Sequence, residues 1–135
     1  MQRTVDFARI KNIAVVGLSD KPERASYRVA AYLQQAGYRI IPVNPSLTRV
    51  LGEKCYPNLE AVPEDISVDV VDIFRRSEDV PPIVETAIKR GVPVIWMQEG
   101  VVNEEAAAAA AAAGRVVVMD KCLMQEHQRA RVRGG

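Results

Sequence analysis

The sequence predicts an α/β fold: a doubly wound sheet of about five parallel strands between two helical layers, a three-layer αβα arrangement. Three observations carry this reading. Short apolar runs rich in Val and Ile recur along the chain, and segments with helical spacing separate them. The two kinds alternate, which calls for right-handed crossovers and parallel strands rather than hairpins. Gly, Pro or polar residues bound each run, as expected of strands buried on both faces.

Residues 13–16 form the first predicted strand, and a helix follows over 26–36. The second strand spans 39–43. Residues 45–66 are the least regular, and Gly52, Pro57 and Pro63 point to a loop with a short strand or helical turn. The third main strand covers 68–73. Its helix, over 77–90, carries Pro81 and Pro82 near the first turn, where missing N–H groups cost little. A strand at 92–96, a helix at 103–113, a strand at 115–119 and a last helix at 122–131 complete the alternation. The alanine run 106–113 is a close-packing helix rather than a tail, because alanine has the best helix propensity. Ser26, Ser77 and Asn103 are placed to cap helix starts, and Gly37, Gly91 and Gly114 to close left-handed helix ends. Residues 129–135 read as a frayed end.

The 135 residues suit a single domain spanning 1–135. With 18 basic and 17 acidic side chains, no overall field drives binding to nucleic acid or an anionic membrane. Any anion site must therefore be local. Cys55 and Cys122 lie far apart without the spacing of a zinc site or a disulfide framework, and read as reduced thiols. Residues 1–6 lack an apolar signal core and no run is long enough to span a bilayer, which points to the cytoplasm.

In an open parallel sheet, ligands bind beyond the carboxyl ends of the strands, where strand order reverses. The segment Gly17-Leu18-Ser19-Asp20-Lys21-Pro22-Glu23-Arg24-Ala25-Ser26 runs from strand to helix there. Its N–H groups and the helix dipole favour a phosphate, with Lys21 and Arg24 as counter-charges. Equally, Gly17 can be only a tight turn and Ser26 only a cap. Gly17 is followed by no second or third glycine of a dinucleotide fingerprint. The second strand ends in Asn44, where many NAD sites carry Asp or Glu, and no P-loop pattern occurs.

Four stretches succeed one another at characteristic intervals: Val15-Val16-Gly17-Leu18-Ser19, Tyr38-Arg39-Ile40-Ile41-Pro42-Val43-Asn44-Pro45, Phe74-Arg75-Arg76-Ser77 and Trp96-Met97-Gln98-Glu99-Gly100. In these, from about residue 10 to about residue 127, the chain resembles the stand-alone CoA-binding domain proteins, the YccU-like group. It is also similar to the CoA-binding N-terminal domain of the succinyl-CoA synthetase α subunit. The resemblance implies a Rossmann-like fold and coenzyme A or an acyl-CoA as the small-molecule partner. Gly17, Ser19, Arg24 and Ser26 would line the phosphate end, and Leu18, Lys21, Pro22 and Tyr27 complete that loop and helix start. Val43, Asn44 and Pro45 would flank the nucleotide, with Phe74, Arg75 and Arg76 as the opposite wall. Gln98 and Gly100 would lie near the pantetheine arm, and Cys122, at a helix start, could face the CoA thiol.

Cys122 reads more readily as a small buried hydrophobe, and Trp96 as core. Lys121 stands where relatives carry Arg, keeping the charge without the bidentate fork. Asp72 is expected at the carboxyl end of its strand, orienting polar groups in the cleft. His127 is the only histidine and has no neighbouring nucleophile. The resembling synthetases use a phosphorylated histidine in a second domain, which this sequence does not contain. The expected function is therefore non-catalytic binding of CoA. Two alternatives stand beside it: a non-catalytic subunit of an acyl-CoA synthetase, and an NAD(H)-binding redox sensor. A homo-oligomer or a protein partner is compatible with each.

Overall fold

In the computed structural model, which describes residues 5–134, the alternation becomes a five-stranded parallel sheet whose strands lie in the spatial order 39–43, 12–16, 70–73, 94–97, 116–118. Its strands are β1 (Asn12–Val16), β2 (Arg39–Val43), β5 (Val70–Ile73), β6 (Val94–Met97) and β7 (Val116–Val118). The helices are α1 (Ala25–Gln35), α2 (Val80–Lys89), α3 (Glu104–Ala112) and α4 (Leu123–Gly134). Chain order reverses direction between β1 and β5, so the sheet is doubly wound and Rossmann-like, and the switch point lies at the carboxyl ends of those two strands.

Alternation along the strands divides the core. Val29, Ala30 and Leu33 of α1 and Leu123 of α4 pack with Ile13, Val15, Val70 and Trp96 on one face. On the other, Val80, Val84 and Ala87 of α2 and Ala106 and Ala110 of α3 pack with Ala14, Val16, Val71 and Ile73. The alanine run is a packing helix, as expected; its small side chains bury Ala106 and Ala110 against the sheet.

The irregular segment holds a two-residue hairpin, β3 (Arg49–Val50) with β4 (Glu53–Lys54), and a 3-10 turn over Leu59–Ala61. Tyr56 lies against the outer edge of β2, donating to Pro42 O at 3.0 Å, while Asn44 N donates to Tyr56 O at 2.9 Å. Pro42, which has no N–H to offer a sheet neighbour, is placed on this outermost strand. Below, Arg90 fastens the same segment by donating to Val62 O, Pro63 O and Ile66 O at 2.7, 2.8 and 3.1 Å.

Helix ends agree with the sequence in part. Asn103 caps α3 through Oδ1, which accepts from Ala106 N at 2.9 Å, and Gly37, Gly91 and Gly114 all have positive φ. Ser26 is not a cap. Arg24 holds that position of α1 without a side-chain bond, and Ser26 Oγ accepts from Ser19 N at 3.0 Å. Nor does Ser77 cap a helix: it opens a 3-10 turn, Ser77–Asp79, and its Oγ accepts from Val102 N at 3.0 Å. In both cases an amide brought close by folding takes the hydroxyl that the local pattern had assigned to a helix end. The C-terminal segment is not frayed where described, since α4 runs to Gly134; residues 1–4 and 135 lie outside the described residues. Among the described residues no helix is long and apolar enough to cross a membrane.

Candidate functional site

Two strand-to-helix corners meet at the switch point. In the first, Gly17 N donates to Val43 O at 2.8 Å and the residue turns with φ +88°. A Cβ there would stand 2.3 Å from the carbonyl oxygen of Phe74, so glycine is demanded by the next corner as well as by its own turn. Asn44 pins the loop from the side: its Nδ2 donates to Leu18 O at 3.0 Å and its Oδ1 accepts from Ser46 N at 2.8 Å. Ser19 N and Lys21 N are bonded within the loop, to Ser26 Oγ and Ser19 Oγ at 3.0 and 3.1 Å. This network leaves the exposed Lys21 and Arg24 side chains at the start of α1, whose first turn has no side-chain cap.

The second corner is bound differently. Phe74 N donates to Val16 O at 2.8 Å, and the chain then turns through Arg75 and Arg76. Both guanidinium groups reach one carboxylate oxygen, Asp79 Oδ2, at 3.3 and 3.2 Å. The Arg75 and Arg76 side chains remain 42% and 74% exposed, so these pairs hold side chains in place more than they stabilise the fold.

Around Gly17 lie two clefts. One, of about 380 Å³, is walled by Val16, Val43, Pro45, Pro57, Leu59, Pro82 and Ile83, with Arg75, Asn58, Glu60, Glu78 and Asp79 as its polar groups. The other, of about 430 Å³, is lined by Ser19, Lys21, Arg24, Ala25, Ser26 and Phe74. Gly17 lines both. A third, open depression of about 570 Å³ continues past Phe74, Arg75 and Arg76 to Val101. An apolar-walled chamber, a cationic chamber at a helix start and a shallow depression edged by two arginines thus adjoin at one glycine and one aromatic residue.

Of the residues expected to form a site, Gly17, Ser19, Lys21, Arg24, Ser26, Val43, Pro45, Phe74, Arg75 and Arg76 line these spaces. Asn44 sits beside them as a brace. Leu18 is fully buried, and Tyr27 packs against the core on the α1 face. Pro22 is exposed on the loop. Gln98 is turned inward: it is 4% exposed, and its Oε1 accepts from Leu123 N at 2.9 Å, capping α4. Gly100 belongs to the adjoining loop, where its N–H donates to Asp120 Oδ1 at 2.7 Å. Cys122 is buried in the α4-side core, directly before that helix starts. Trp96 is core, with Nε1 donating to Lys121 O at 2.8 Å.

Asp72 corrects an expectation. It pairs in register with Val15 and Trp96, so its side chain enters the α1–α4 face of the core rather than the cleft. Neither carboxylate oxygen has a hydrogen-bond partner, and burial pushes the carboxyl well above its ordinary range. Burial thus favours its neutral form. His127, on α4, is enclosed by the rings of Phe7, Tyr32 and Tyr38, with centroids 5.2, 5.5 and 5.4 Å away. Its Nδ1 is 2.7 Å from the Tyr32 hydroxyl. Burial first, then the Arg131 charge, lowers its pKa and favours the neutral ring.

Sequence reasoning missed the far wall of the apolar chamber, residues 57–60 together with Glu78, Asp79, Pro82 and Ile83. A signal existed, since the irregular segment leaves the carboxyl end of β2 and must begin beside the cleft.

The fold is that of a Rossmann-like domain, in which an apolar-walled cleft and a cationic cleft adjoin at Gly17. Residues 11–128 match the model of the CoA binding domain family, and the chain belongs to that family. It is 46% identical over 119 residues to the protein YneT of Bacillus subtilis, covering 88% of this chain and 87% of that one. A solved hypothetical protein from Pyrococcus horikoshii OT3 superimposes with a TM-score of 0.86 at 43% identity, covering 90% of this chain and 84% of the other. The chain is also 25% identical over 113 residues to the ADP-forming acetate–CoA ligase II of Archaeoglobus fulgidus. That match takes in 82% of this chain and 16% of the ligase, so it concerns a small part of the larger enzyme.

Proposed function

We propose that the chain is a single, non-catalytic module, residues 1–135, that binds coenzyme A or an acyl-CoA. The observation that carries this is the junction of the two chambers at Gly17, apolar on one side and cationic on the other. CoA has the same division: a planar adenine on a ribose, a pyrophosphate, and a long, mostly neutral arm. In this reading adenosine enters the 380 Å³ chamber between Pro45 and Ile83. The pyrophosphate meets Lys21, Arg24 and the first-turn amides of α1, where the helix dipole favours negative charge. The arm leaves over Phe74 toward Val101. Asn44 keeps the loop in register for this by holding the Leu18 carbonyl, a role that replaces the ribose-binding acid of NAD domains.

Similarity to an acetate–CoA ligase favours a second reading, in which the module serves an acyl-CoA synthetase whose catalytic parts lie on another chain. Native mass spectrometry of the purified protein, before and after mild denaturation, tests the first reading. A released mass equal to CoA or an acyl-CoA is the expected result; a released NAD would overturn it.

A further inference from the structure

We infer that the apolar chamber is built around a ribose without a 3′-phosphate, so that the module takes 3′-dephospho-CoA at least as tightly as CoA itself. This rests on the CoA reading of the groove. Because Gly17 lines both chambers, a pyrophosphate at the start of α1 places the attached ribose at the mouth of the apolar one. The charged groups there are Glu60, Glu78, Asp79 and Arg75: three carboxylates against one guanidinium. That guanidinium is already paired, 3.3 Å from Asp79 Oδ2, and the neighbouring Arg76 is tied to the same oxygen at 3.2 Å. Lys21 and Arg24, which form no ion pair with a carboxylate among the described residues, line the other chamber and do not line this one.

A ribose 3′-hydroxyl suits such a rim, since a carboxylate accepts its hydrogen bond as strand-end acids do in dinucleotide sites. A phosphomonoester at the same position carries close to two negative charges at neutral pH and can only accept hydrogen bonds. It would face like charges and find no cation free of a carboxylate partner in the chamber. The unit recognised is therefore the adenosine diphosphate joined to pantetheine, and the 3′ substituent of CoA is tolerated rather than sought.

Titration calorimetry of the full chain with CoA and with 3′-dephospho-CoA reads this directly. The expected ratio of Kd values, CoA to dephospho-CoA, is one or more, rising as salt is lowered. In the variant carrying Glu60→Gln and Glu78→Gln, both at exposed positions, dephospho-CoA should weaken, by up to about fivefold for a lost charge-assisted bond. CoA should hold or gain, so the two ligands move apart in opposite senses. CoA binding more than about twofold tighter than dephospho-CoA in the unaltered protein, or a ratio unmoved by the double substitution, would overturn the inference while leaving the CoA reading intact. Absence of binding by both ligands would remove the CoA reading itself, and this inference with it.

Discussion

The two corners at the switch point are made of similar residue types and are wired in opposite ways. At the β1–α1 corner the loop's hydrogen bonds run among backbone amides, serine hydroxyls and the Asn44 amide, and the cations Lys21 and Arg24 stay at its surface. At the β5–α2 corner the cations Arg75 and Arg76 converge on the Asp79 carboxylate. An anion arriving at the first corner meets charge that is free to turn toward it; at the second it must compete with Asp79. A pair of arginines is thus no measure of an anion site by itself. What matters is which acid already holds them, and the proposed pyrophosphate site is the corner where Lys21 and Arg24 form no ion pair with a carboxylate among the described residues.

The strongest blow to this arrangement is Gly17→Ala. The added methyl would meet the Phe74 carbonyl at 2.3 Å in a backbone turn of φ +88°, forcing the two corners apart. A loss of about 2–4 kcal/mol in chemical denaturation is expected, together with loss of CoA binding. Unchanged stability would mean that the corners are not in contact through this residue.

Next in size is the contrast between cations. Arg24→Ala should weaken CoA by about 1.5–3 kcal/mol, with folding stability barely altered, because the residue is exposed. Arg75→Ala should cost CoA less than Arg24→Ala in the same calorimetric titrations, since Asp79 already engages it. The reverse order would move the pyrophosphate to the second corner.

A third test separates the cleft from the core beneath it. Asp72 has a folded-state pKa raised by burial, so the folded protein holds a proton that the unfolded chain releases near pH 4. Its contribution to stability is full below that pH and declines as pH rises toward the folded-state pKa. Asp72→Asn should therefore be more stable than the unaltered protein at neutral pH, with the difference closing under acid conditions. CoA affinity should be unchanged, and a drop in affinity would return Asp72 to the site.

The smallest effect concerns the aromatic enclosure of α4. His127 has a lowered folded-state pKa, so its contribution is present above about pH 6.5 and fades as pH falls through the folded value. Tyr32→Phe removes the hydrogen bond to Nδ1 and should cost about 1 kcal/mol at neutral pH in denaturant titrations. No change in CoA binding is expected, because neither ring lines any of the three spaces described above.

Much of this was legible in the residue order. The strands at 13–16 and 39–43, the helices, and the placing of Gly17, Arg24 and Phe74 at the sheet's carboxyl end follow from short-range patterns that the structure keeps. The two cap readings fail for one cause: neighbours in sequence mark Ser26 and Ser77 as helix caps, whereas their hydroxyls accept from Ser19 N and Val102 N in the folded chain. Gln98, placed near the arm by resemblance alone, is turned inward to Leu123 N. Gln98 could have been caught: two residues beyond the buried Trp96, it shares that residue's inward face. Asp72 is harder, because nothing local marks a buried acid left without a partner. For the chamber wall at 57–60 the sequence places the segment beside the cleft but not its facing side chains, since an irregular segment has no period from which to read them.

The central claim is that an apolar and a cationic chamber meeting at Gly17 form a CoA site without the features of an NAD site. Parallel calorimetric titrations with CoA and with NAD test it most directly. A Kd for CoA in the micromolar range, with NAD weaker by at least about tenfold, or roughly 1.4 kcal/mol, is the predicted result; equal affinities for the two ligands would contradict it.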